Sequence, residues 1–290
     1  MTGKIIKNIS NDYTVSCNDK LYVCKVRGKI RTLDIKPLVG DVVDFDEKNN
    51  YILEIKERKN YLNRPPIANV DQAFVITSVK EPNFSSNLLD KLLNIIEFNN
   101  IEPIICFTKL DLLSDEERKK IDTYIKYYKK IGYKVLLNTE LVKLNKLFKD
   151  KISVFTGQSG AGKSTLLNNL NKELNIKTNE ISKALGRGKH TTRHTELLSI
   201  SNGLVADTPG FSALDFKDMT KTDVRDNMIE FNEYRDLCEY KDCMHLNEEN
   251  CEVKKQVGKN ILQSRYDNYV KFIGDVDESI RINSKYQKRK

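Results

Sequence analysis

Gly157-Gln158-Ser159-Gly160-Ala161-Gly162-Lys163-Ser164 fills every fixed position of the pattern GxxxxGK[ST]. It follows the apolar run Ile152-Ser153-Val154-Phe155 and precedes Thr165-Leu166-Leu167-Asn168-Asn169-Leu170, so the stretch reads strand, loop, helix. In that setting the glycines let backbone N–H groups converge on phosphate oxygens at a helix N-terminus. Lys163 neutralises charge on the β- and γ-phosphates, and Ser164 offers a hydroxyl to Mg²⁺. Gly157 to Thr165 are therefore expected to bind a nucleotide.

Upstream, the chain alternates apolar runs with helical periodicity. Ala73-Phe74-Val75-Ile76 is followed by Leu88, Leu89, Leu92, Leu93, Ile95 and Ile96 at helical spacing, then by Pro103-Ile104-Ile105-Cys106-Phe107. Ser114 and Glu117 form a capping box for a helix that stops at Gly132, and Tyr133 to Leu137 makes a further strand. This alternation predicts a parallel sheet with helices on both faces. Thr108-Lys109-Leu110-Asp111 ends the second strand. A carboxylate there can accept two hydrogen bonds from guanine, a donor pair that adenine lacks, so Asp111 favours GTP over ATP and Lys109 lies along the base. A helix start at Asp111 or Ser114 is the plainer reading of the same residues. Downstream, Asp207-Thr208-Pro209-Gly210 follows the strand Gly203-Leu204-Val205-Ala206. Asp207 can hold the Mg²⁺ shell, and Gly210 can bring its N–H to a γ-phosphate.

The flanks differ in kind. Residues 1–63 read as five short β segments, a small barrel that fits an OB-fold best, although an SH3-like barrel leaves the same trace. Arg64-Pro65-Pro66 interrupts regular structure and marks a boundary. Residues 64–218 form the nucleotide-binding unit, and residues 219–290 a helical, charged one with a basic tail. Within the latter, Cys238-x4-Cys243-x-His245-x5-Cys251 supplies three thiolates and an imidazole, the donor set of one closed structural Zn²⁺ site, with buried unligated thiols as the alternative. The charge of +8 over 290 residues suits a polyanionic partner. No run approaches the roughly 18 apolar residues of a membrane span, and the N-terminus lacks a signal-peptide core, which predicts a cytoplasmic protein.

Motif order is informative. Guanine-binding proteins of the familiar kind place the base-reading motif after the phosphate loop, whereas TKLD here precedes it, so the nucleotide-binding unit is circularly permuted. Together with Arg64-Pro65-Pro66-Ile67-Ala68-Asn69-Val70-Asp71-Gln72, Gly186-Arg187-Gly188-Lys189-His190-Thr191-Thr192-Arg193-His194, the DTPGF run and the Cys-His cluster, these motifs resemble the RsgA (YjeQ/YloQ) family, the ribosome small-subunit-dependent GTPases. The resemblance implies an OB-fold, a circularly permuted α/β P-loop GTPase domain and a zinc domain. It also implies binding to the small (30S) subunit and its 16S rRNA late in assembly, with GTP hydrolysed on docking to the subunit; the protein is expected to be a monomer.

The basic segment Lys183 to His194 reads as the switch. Either Thr191 or Thr192 completes the Mg²⁺ shell with Ser164 and Asp207. Phe211 stands where many GTPases carry a water-orienting glutamine, which makes His190 the nearest substitute, with His194 behind it; a histidine that simply contacts rRNA phosphate is the alternative. Lys163, His190, Thr191 and Thr192 are thus the expected catalytic set. Two other classes stay open: an RNA-binding assembly module using GTP as a passive switch, and a P-loop kinase or ATPase, which Asp111 disfavours.

Overall fold

The computed structural model describes residues 1–26, 36–63, 66–171, 195–207 and 215–287, with the backbone alone described at 63, 195, 207 and 277–287. Five strands form the N-terminal barrel: β1 (Thr2–Ile9), β2 (Asp12–Cys17), β3 (Lys20–Val26), β4 (Val42–Asp46) and β5 (Tyr51–Ile55). Alternation in β2 buries Tyr13, Val15 and Cys17 on one face, as a period of two requires. Pairing of β4 with β1 closes the barrel. Asp41, fully buried, is held by Arg58 through two hydrogen bonds of 2.7 Å.

Pro66 opens a short strand. Strands β6 (Tyr61–Asn63) and β7 (Pro66–Ala68) pair antiparallel, and Pro66 takes the first position of its strand, where a missing N–H is tolerated. Beyond it come β8 (Gln72–Ser78), α1 (Ser86–Phe98), β9 (Glu102–Thr108), α2 (Asp115–Lys130), β10 (Lys134–Leu137), α3 (Leu141–Phe148), β11 (Ile152–Thr156), α4 (Lys163–Leu170), β12 (Thr195–Ile200) and β13 (Gly203–Asp207). Strands β10, β9, β8, β11 and β13 run parallel in that order. All seven residues of β8 are buried, as a strand covered on both faces demands. Ala73, Val75, Ile105 and Phe107 pack toward α1 and α2, while Phe74, Ile76, Ile104 and Cys106 pack toward α3 and α4.

The alternation of strands and helices did not predict how the sheet ends. β12 runs antiparallel to β13, then pairs with β1 of the barrel, so barrel and parallel sheet are one continuous eleven-stranded sheet. The C-terminal part carries α5 (Lys221–Asp226), 3-10 turns at Ile229–Glu233 and Arg235–Leu237, α6 (Glu252–Gln256) and the long α7 (Gln263–Gln287). Its core joins Val224, Met228, Phe231, Cys251, Tyr269 and Phe272. Among the described residues, no helix is long and apolar enough to cross a membrane.

Candidate nucleotide and metal sites

Parallel strands end on one edge of the sheet, and in α/β folds that edge is where ligands collect. Here it gathers the residues that end or follow β8, β9, β10, β11 and β13: the 79–84 loop, the TKLD motif, Asn138, the phosphate loop and Asp207. Gly157 has φ +129°, and a Cβ there would stand 2.1 Å from the Ile76 carbonyl oxygen, so glycine alone allows the loop to leave β11. Gly160 and Gly162 also have positive φ, and α4 begins at Lys163 with no side-chain cap. The first-turn N–H groups of α4 are therefore left for an anion.

Lys163 donates to the carbonyl oxygens of Gly157 (2.8 Å) and Gln158 (2.6 Å), folding back over the loop. Burial pushes its ammonium down to about 8. Ser164 is half-buried, Gln158 likewise, and Ser159, Gly160 and Thr165 are exposed. Ala161 is fully buried against Leu166 and Leu170.

Thr108, itself buried, donates through Oγ1 to the Ala161 carbonyl oxygen at 2.7 Å. The structure thus brings the TKLD motif and the phosphate loop together across 53 residues of sequence. Lys109 adopts φ +62° and hydrogen-bonds the carbonyl of Glu81, which itself has φ +54°. Pro82 follows, its Cδ 3.7 Å from where a Cβ on Gly160 would lie. The 79–84 loop is a wall of the site that the motifs did not reveal, since it carries no residue pattern of its own. Asp111 is exposed, within the 3-10 turn Leu110–Leu112. The helix behind it starts at Asp115, capped by Ser114 in a full capping box with Glu117, so Asp111 is not the cap.

Asp207 ends β13, the strand next to β11, which sets it at the same edge as Ser164. An oxygen-only donor set of this kind suits Mg²⁺. Gly210, His190, Thr191, Thr192, His194 and Phe211 lie outside the described residues.

In the C-terminal part, Cys238, Cys243, His245 and Cys251 converge, with one ligand atom from each within 4.8 Å of the others. His245 Nδ1 lies 3.3 Å from Cys251 Sγ and 3.7 Å from Cys238 Sγ, and these two sulfurs are 3.9 Å apart. Burial, then the nearby Arg225 guanidinium, pushes the imidazole down to about 4, so it is neutral and its lone pair is free to coordinate. Burial pushes the Cys243 thiol up to about 12. Thiols so placed become thiolates only beside a cation, and the donor set fits a metal ion. The loop is fastened from outside: Tyr266 donates to the His245 carbonyl (2.7 Å), Arg225 to that of Cys243 (3.3 Å), and Glu248 accepts from the N–H groups of Met244 and Leu246.

A buried polar cluster ties this region to the nucleotide-binding sheet. Arg265 of α7 donates to both Glu230 oxygens (2.7 and 2.9 Å) and to Asp90 of α1 (2.8 Å). Tyr128 and Asn268 also donate to Asp90, at 2.5 and 2.6 Å. Arg265, Asp90 and Glu230 are 1%, 0% and 4% exposed. Sequence reading missed them because partners 175 residues apart share no local signal. A charged Asp90 within the apolar stripe of α1 was the one hint.

Comparison with known proteins agrees with this geometry. A family model described as RsgA GTPase matches residues 55–217, and one described as RsgA N-terminal domain matches residues 2–52. A protein of Oceanobacillus iheyensis named small ribosomal subunit biogenesis GTPase RsgA 2 is 48% identical, covering 94% of this chain and 97% of its own. The Bacillus subtilis protein named small ribosomal subunit biogenesis GTPase RsgA is 46% identical, covering 95% and 97%. The crystal structure of YloQ, described as a circularly permuted GTPase, aligns with a TM-score of 0.82 at 41% identity, covering 96% of this chain and 95% of that one. YjeQ from Thermotoga maritima aligns at 0.83 and 33% identity, covering 95% and 98%. With a phosphate loop and a TKLD motif meeting in permuted order in a chain that opens on a five-stranded barrel, and with these relatives along nearly its whole length, the chain belongs to the RsgA GTPase family.

Proposed function

We propose that the protein hydrolyses GTP to GDP and phosphate in the maturation of the small ribosomal subunit, as the names of its relatives suggest, and that docking on the subunit and its 16S rRNA raises the rate. The observation that supports the nucleotide reading is the Thr108 to Ala161 hydrogen bond, which joins the TKLD motif to the phosphate loop. Asp111 selects guanine. Residues 157–165 hold the phosphates, with Lys163 turning from its own loop carbonyls to the β- and γ-oxygens. Mg²⁺, when bound, neutralises charge that develops on the phosphates. Ser164, Asp207 and one of Thr191 and Thr192 are its ligands, Gly210 meets the γ-phosphate, and His190 orients water where Phe211 cannot.

Residues 1–63 act as the RNA-facing OB-fold, 64–218 as the permuted GTPase unit and 219–290 as a domain stapled by one Zn²⁺ on Cys238, Cys243, His245 and Cys251. The protein works as a cytoplasmic monomer. The test is turnover of GTP by purified protein with and without small subunits, ATP serving as competitor. Stimulation by small subunits alone supports the reading, and displacement of GTP by ATP at equal concentration overturns it.

A further inference from the structure

Three neighbouring strands carry one row of residues across the junction of barrel and nucleotide-binding sheet. Lys7 of β1 is the register partner of Glu196 of β12, and Glu196 is the partner of Asp207 of β13. Lys7 Nζ stands 3.0 Å from each carboxylate oxygen of Glu196. Two acidic residues at one register position cost a sheet stability unless a cation compensates them, and the barrel supplies that cation. The junction is also short. Among the described residues, only Lys7 with Glu196 and Asn8 with Thr195 join β1 to β12, whereas five positions join β12 to β13.

We propose that Lys7 is a positioning residue for the Mg²⁺ edge of the nucleotide site. Its ion pair with Glu196 clamps β12 onto the barrel, and the clamped strand holds the register that carries Asp207. Asp207 lies two strand spacings from Lys7, about 10 Å, so Lys7 acts through Glu196 and not by contact. A barrel displaced by a bound partner would thereby be felt at the metal edge. The inference rests on the reading of Asp207 as a Mg²⁺ contact.

The measurement is the Mg²⁺ concentration that gives half-maximal GTP turnover by the full chain. Because both side chains are about one-third exposed (33% and 39%), the pair is of moderate strength. Lys7→Glu and Glu196→Lys should each raise the half-maximal Mg²⁺ about threefold. The double swap should restore it, and GTP binding in EDTA should be unchanged throughout. A through-space field acting alone makes the opposite prediction for one of them: Lys7→Glu adds negative charge and lowers the requirement, while Glu196→Lys raises it. Shifts of opposite sign, no shift, or failure of the swap to restore would each overturn the clamp. Lys7→Gln removes attraction without adding repulsion; should the reversals unfold the junction, it carries the test, with a rise of about twofold expected and no rise overturning the proposal. Asp207→Asn separates the two readings. If it leaves the Mg²⁺ requirement unmoved, the assignment of Asp207 fails; if it moves the requirement and the pair variants do not, the clamp alone fails.

Discussion

Thr108 and Ala161 are joined by a buried 2.7 Å hydrogen bond, which ties the end of β9 to the phosphate loop. Neither partner has water to fall back on. Thr108→Val keeps the shape, removes the donor and leaves a buried carbonyl unpaired, at a cost of about 1–3 kcal/mol. GTP affinity should fall about tenfold while the preference for GTP over ATP persists, because Asp111 is untouched. Equilibrium competition with both nucleotides checks this.

Asp111→Asn should act on base choice instead. An amide offers a donor where guanine also offers donors, whereas xanthine presents an acceptor there, so affinity should shift from GTP toward XTP. Unaltered GTP preference in a competition assay would remove Asp111 from the role.

Lys163 gives a pH signature. With its ammonium held down to about 8 in the free loop, and phosphates favouring the charged form, GTP binding above pH 8 must take up a proton. Affinity should be flat below pH 8 and weaken above it, approaching tenfold per unit. Calorimetry at pH 8.5 in two buffers of different ionisation enthalpy reads the uptake directly; a zero difference sinks the idea.

Cys243→Ser should abolish metal retention and loosen the chain from about Met219 onward, since a small helical segment draws much of its folding energy from the ion. GTP affinity should stay within about twofold because the cluster lies on elements separate from the nucleotide edge. Metal analysis and limited proteolysis check the two halves; protein purified without chelator that carries no zinc would end the assignment.

Arg265→Met should be the most destabilising of the set. It strands Asp90 and Glu230 in the interior with no cation, an effect of about 3–5 kcal/mol. Changing all three to apolar residues should recover most of the melting temperature, because the desolvation penalty then vanishes with the charges.

The sequence by itself determined whatever depends on neighbours along the chain. The phosphate loop, the TKLD turn, the capping box at Ser114 and the Cys-x4-Cys-x-His-x5-Cys cluster are local patterns whose chemistry needs fixed spacing, and motif order alone disclosed the permutation. The five barrel strands and the parallel strands were legible for the same reason, since burial imposes a period on the residues themselves. Tertiary structure decided the rest. The fusion of barrel and sheet through β1 and β12, the row from Lys7 to Asp207, the Thr108 to Ala161 bond and the Arg265 cluster all pair residues 35 to 189 positions apart or bridge separate strands. Such pairs are chosen by which faces pack together in three dimensions, and a one-dimensional pattern carries no record of that choice.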